Sequence, residues 1–150
     1  MTTKLKEKDI VTYIVDNWDK YFPELIFKKT EFQARSDYRC DILCFLEMNL
    51  REYGYDEDGI HYAGIYTEVK YNSPSRDLIF ELEKAIDCCS HPSIKHPRYV
   101  AVIMDDYSDE TILNYLIEND IIMWKIDIVD DNLEEMKIYL YEPDEFNVNK

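Results

Sequence analysis

Two carboxylates and an amine, Asp41, Glu68 and Lys70, carry the most suggestive chemistry in this sequence. In Thr67-Glu68-Val69-Lys70 the acid and the amine stand two apart, so on a β-strand the period-two pleat projects both from one sheet face and turns Val69 to the other. Such a pair reads equally well as a structural ion pair, and a third group is needed to decide. Asp41 supplies it. It stands in Arg39-Cys40-Asp41-Ile42-Leu43-Cys44, among residues that belong in a core, where an aspartate is costly to bury unless it is paired or bound to metal. If the two strands are hairpin neighbours, Asp41 and Glu68 converge on one cation, because two hard oxygen ligands plus water or phosphate is a common way of holding Mg²⁺. A cation there polarises a phosphoryl oxygen and acidifies an attacking water, while Lys70 orients that water or offsets developing negative charge.

The elements that must position these groups are legible from periodicity. Apolar residues Leu5, Ile10, Val11, Ile14, Val15 and Trp18 recur at helical spacing and predict a helix from Lys4 to Phe22, ended by Pro23. Leu25–Gln33, Tyr38–Leu46 and His61–Tyr71 read as strands, the last two separated by a polar turn around Gly54 to Gly59. Ser75 is placed to cap a helix whose buried stripe is Leu78, Ile79, Leu82 and Ile86, and His91–Pro97 reads as a loop. A strand within Arg98–Met104, a helix over Ser108–Asn119, and strands over Ile121–Ile128 and Met136–Tyr141 complete the chain. Short connections make the first three strands an antiparallel meander, and the helical crossover makes the fourth parallel to a neighbour. The expected fold is α/β: one domain, residues 1–150, with a central mixed sheet of five or six strands and helices on both faces.

This order of a helix, a strand, a strand with Asp41, a hairpin, a strand with Glu68-x-Lys70 and then the helix Leu78-Ile-Phe-Glu-Leu-Glu-Lys-Ala85 resembles the PD-(D/E)XK nucleases, which include restriction endonucleases and junction resolvases. The resemblance spans Glu7 to Met104. It implies a restriction endonuclease-like fold and a Mg²⁺- or Mn²⁺-dependent hydrolysis of phosphodiester bonds, most naturally in DNA. It further implies that Asp41 and Glu68 bind the metal, that the main-chain carbonyl of Val69 completes the shell, and that Lys70 assists catalysis. An acid on the first helix often joins such sites; Glu7 is the best match and Asp9 competes, both also being suited to a solvated helix start. Two departures stand out: Glu81 occupies a helix that often carries a glutamine, and Arg39-Cys40 rather than a proline precedes Asp41.

Lys28, Lys29, Arg35 and Arg39 form the densest basic cluster near the motif and are expected to contact a nucleic-acid backbone, with Arg76 as a further phosphate contact. The thirteen tyrosines offer base stacking, although Tyr13, Tyr99 and Tyr139 lie in core-like patterns. Against this stands a net charge of −15. It is uneven: from residue 101 onward 3 basic residues face 14 acidic ones, a net of −11, while the first hundred carry 14 against 18, a net of −4. The acidic final third therefore suggests a second reading, a catalytically inactive nuclease-like protein that binds or inhibits a basic nucleic-acid-processing partner. Cleavage of both strands of a duplex calls for two sites, which a homodimer would supply. Cys40, Cys44, Cys88 and Cys89 are expected as free thiols of a reducing compartment, a zinc site with His91 and His96 being the lesser alternative without any CxxC. With neither a secretory stretch nor an apolar run of membrane length, the expected location is the cytoplasm.

Overall fold

The computed structural model describes residues 5–72, 77–90 and 98–143. Helix α1, Glu7–Asp16, buries Ile10 and Ile14 one turn apart. The sequence predicts one helix through Phe22, but the chain breaks at Asn17, and a single turn, α2 (Trp18–Tyr21), follows. Asn17 leaves helical backbone (φ −123°) and turns its Nδ2 amide onto the carbonyl of Tyr13 at 2.9 Å, the local competition with helix that short polar side chains offer. The break lets the Trp18 indole N–H reach the carbonyl of Leu25 at 2.8 Å, tying the helix to the first strand.

Strands β1 (Leu25–Arg35), β2 (Tyr38–Asn49) and β3 (Ile60–Lys70) form the expected antiparallel meander. Helix α3 (Leu78–Cys89) crosses to β4 (Tyr99–Met104), and α4 (Glu110–Glu118) to β5 (Ile122–Asp127), so that β3, β4 and β5 run parallel. A short 3₁₀ turn at Leu133–Glu135 leads into the antiparallel edge strand β6, Lys137–Leu140. Spatial order equals chain order, β1 to β6, in one open six-stranded mixed sheet. Asp109 caps α4 by accepting from the backbone N–H groups of Thr111 and Ile112. The Ser75 cap expected for α3, and the His91–Pro97 loop, lie outside the described residues.

One core layer packs α1 and α2 on Ile42, Cys44, Ile65, Val69, Ala101 and Ile103. The opposite layer packs α3 and α4 on Tyr38, Cys40, Leu43, Tyr66, Val102 and Met104. β3 is third of six strands and covered on both sides, which explains its unbroken buried run from Ala63 to Val69. That run includes Glu68, and this is what makes the residue unusual. No helix among the described residues is long and apolar enough to cross a membrane.

Candidate functional site

The β2–β3 ladder runs from Asn49↔Ile60 to Ile42↔Thr67, and the next residue along each strand is Asp41 and Glu68. At that step β2 falls out of alternation. Cys40 and Leu43 both pack on the α3 side while Ile42 and Cys44 pack on the α1 side, so one side-chain step is lost at Asp41. The neighbouring strand changes side at the same level: Glu31, between Thr30↔Ile42 and Phe32↔Cys40, has left-handed backbone with φ +48°. The paired irregularity frees the Asp41 side chain to take over where the backbone ladder stops, and its Oδ2 accepts the Val69 N–H at 2.7 Å.

Glu68 lies 2 % exposed, and its Oε2 accepts the hydroxyl of buried Tyr38 at 2.8 Å. Burial pushes its carboxyl up to about 9, with repulsion from Asp41 next in weight, and the Tyr38 hydrogen bond opposes the rise. The Asp41 carboxyl is raised as well, first by burial and then by Glu7 and Glu81, against the Val69 N–H and Lys70, which lower it. In the metal-free protein at neutral pH Glu68 therefore holds a proton. The Lys70 ammonium stands 3.8 Å from Glu81 Oε2 at the mouth of the site, a partly exposed pair of little worth to stability.

Glu7 reaches the same place from α1, its Oε2 accepting the Tyr71 N–H at 3.1 Å. Asp9, its rival in the sequence, instead accepts the Lys6 N–H at 3.0 Å and so serves the start of its own helix. The fold thus gathers Asp41, Glu68, Val69, Lys70 and Glu7 at the carboxyl end of β3, the edge of a parallel segment where ligands of α/β sheets commonly bind. Tyr38 and Glu81 complete the cluster. Sequence reading had no signal for Tyr38, because its reach to Glu68 depends on the lost step at Asp41; Glu81 stood out only as an acid replacing an amide.

The basic residues are dispersed. Lys28 and Lys29 are exposed on the edge strand β1, Arg35 pairs with Asp37 (2.5 Å), and Arg39 donates to Gln33 Oε1 at 3.1 Å. Arg39 sits between Tyr38 and Cys40, which face α3, so the pleat turns it to the other side of the sheet from Glu68. Arg76 lies outside the described residues. Cys40 and Cys44 are free thiols in opposite core layers, both pushed up to about 12 by burial. The zinc alternative cannot draw on both of them, and His91 and His96 lie outside the described residues.

Whether the cluster suits a divalent cation is a question of donors and charge. Among the described residues no group of three or more His, Cys, Asp or Glu side chains is arranged to hold a metal ion. The donor chemistry nevertheless fits Mg²⁺ or Mn²⁺: hard carboxylate oxygens, supplied by two adjacent strands. The electrostatics fit too, since burial raises the carboxyls of both Asp41 and Glu68, and a cation beside them favours their ionised forms. Scans of family models and searches of curated proteins and of solved structures find nothing that matches the chain.

Proposed function

We propose that the chain is a metal-dependent nuclease of the restriction endonuclease-like kind, hydrolysing phosphodiester bonds, with DNA as the first substrate to test. The observation that carries the reading is the meeting of Asp41 and buried Glu68 on adjacent strands, with Lys70 two residues on at the open end of β3. Asp41 and Glu68 would hold Mg²⁺ or Mn²⁺ with the carbonyl of Val69, and Glu7 stands close enough to Asp41 to act on it electrostatically. When bound, the cation supplies Lewis-acid polarisation of the phosphoryl group and a more acidic water. The protein's own part is to deliver two ionised carboxylates, which requires Glu68 to lose its proton, and to exclude bulk water by burying it beneath α3. Lys70 offsets charge that develops on the phosphate, once it exchanges Glu81 for substrate.

Incubation of the purified protein with plasmid, linear and branched DNA, and with RNA, in Mg²⁺ or Mn²⁺ tests this. Cleavage that disappears in Asp41→Asn and Glu68→Gln is expected; no cleavage of any substrate by folded protein counts against it.

The second reading, an inactive nuclease-like protein that binds a basic partner, draws on two observations. Lys70 is occupied by Glu81, and the last fifty residues carry a net charge of −11 from 3 basic and 14 acidic residues. A stoichiometric basic protein recovered with the native chain, together with inert Asp41→Asn and Glu68→Gln phenotypes, would favour it.

A further inference from the structure

The face of the sheet that holds Glu68 is covered by α3 and α4 at one end only. Along β3, Tyr62, Gly64, Tyr66, Glu68 and Lys70 follow at two-residue spacing and share this face. Toward Tyr62 the cover ends, and a hollow of about 280 Å³ opens between the first three strands. Phe32, Phe45, Tyr62 and Tyr66 surround it, Gly64 forms its floor, and Arg98 stands at its rim. The Phe32 and Tyr66 rings lie nearly parallel, 17° apart with centroids at 6.3 Å, and Tyr62 is 51 % exposed. Tyr62 is thus the most exposed of the four rings and Tyr66 the most buried.

We propose that this hollow is a base-binding platform for an unpaired nucleotide of the strand whose phosphate reaches Glu68. The inference rests on the nuclease reading and names its substrate class: single-stranded or locally unpaired nucleic acid. Three features carry it. Aromatic faces stack on any base, which suits a site that reads no sequence. The Arg98 guanidinium donates to the Tyr66 hydroxyl at 2.8 Å and forms no ion pair with any described carboxylate, so its charge is available to a phosphate or a base π-face. Lys29 adds a second cation on the same face, since it pairs across the ladder with Leu43, which lines the hollow. The hollow shares a strand face with the candidate site: Gly64 and Glu68 are four strand residues apart, ~13 Å along β3. The acid on this stretch, Glu47, which accepts from Tyr62 at 3.4 Å, lies beyond the hollow on the side away from Glu68.

Gly64 makes the test clean. A Cβ built there would stand 3.8 Å from Leu43 Cδ1 and Phe45 Cε1, ordinary contact distances, so the first carbon of a new side chain is accommodated, and Gly64→Val adds its methyls to the hollow, with a melting curve to check that the variant folds. Fluorescence anisotropy would follow a labelled single-stranded DNA oligonucleotide, its duplex and an abasic oligonucleotide of equal length, in EDTA so that cleavage plays no part. The single strand should bind more tightly than the abasic strand, with Gly64→Val and the exposed-site variant Tyr62→Ala each weakening it roughly 5- to 100-fold. Lys137→Ala, exposed on β6 at the far edge of the sheet, should leave this affinity within about twofold. Equal binding of abasic and normal strands, or unchanged affinity in both Gly64→Val and Tyr62→Ala, overturns the platform, as does a failure to bind any strand. Sedimentation would expose the competing occupant: a dimer dissolved by Gly64→Val, with no strand bound, assigns the face to a second copy and overturns the proposal. Loss of cleavage with base-dependent binding intact would reject the nuclease reading alone.

Discussion

Glu68 is fully covered in the central strand, faces Asp41, and is served by one strong donor, the Tyr38 hydroxyl. Its folded value of about 9 lies above the ~4.3 of an unfolded glutamate. A raised carboxyl stabilises the fold while it is protonated, so its contribution is complete below about pH 4 and is lost as pH rises through 9. The metal-free protein should therefore lose stability between pH 5 and 9, by an amount of order several kcal/mol, and Glu68→Gln should flatten most of that slope and raise the melting temperature at pH 8. Thermal melts of parent and variant across this range measure it; a parallel slope in the variant would assign the pH effect to net charge instead. Tyr38→Phe should cost about 1–3 kcal/mol by stranding a buried oxygen of Glu68, and should move its titration further up, since the lost bond is the one that lowers it.

At the scale of elements, the fold was largely legible in the sequence because its signals are strong ones: apolar runs for β3 and β4, helical stripes for α1, α3 and α4, and a Gly-bounded hairpin tip. The order Asp41, hairpin, Glu68-x-Lys70 was enough to foresee that the two acids stand on adjacent strands, because a hairpin pairs the strands it joins. What sequence could not give was the lost step at Asp41. Apolar residues flank it on both faces, Cys40 as well as Ile42 and Leu43, so a flipped register leaves no trace in hydrophobicity. Nor did it separate Glu7 from Asp9, or disperse the basic residues that stand close together in the chain. The irregularity itself has a measurable cost at Glu31, whose φ of +48° disfavours branched side chains. Glu31→Val should destabilise by about 1–2 kcal/mol, whereas Glu31→Gly should be neutral or stabilising; urea denaturation of both compares them. If both variants match the parent, the left-handed turn opposite Asp41 is not a fixed feature of the fold.

At the scale of the whole molecule, a net charge of −15 on 150 residues weighs against a polyanionic substrate and against compactness itself. Added salt should therefore stabilise the metal-free protein, its melting temperature rising between 10 and 300 mM NaCl as self-repulsion is screened. The same field concentrates divalent cations near the acids at the end of β3, so metal and substrate become coupled: the cation lowers local charge before a phosphate approaches. The central claim is that Asp41 and Glu68 together hold such a cation, and metal-linked stability tests it without knowledge of any substrate. A ligand that binds only the folded state stabilises it by RT ln(1 + [L]/Kd), about 2.7 kcal/mol at a hundredfold excess over Kd. Melting curves of parent, Asp41→Asn and Glu68→Gln with and without Mn²⁺ at pH 8 should give a saturable rise in the parent that both variants lose, although each variant is itself as stable as the metal-free parent or more so. No Mn²⁺-dependent rise in the parent, or an equal rise in the variants, together with large destabilisation by Glu68→Gln, would contradict the account and leave Glu68 as a structural group.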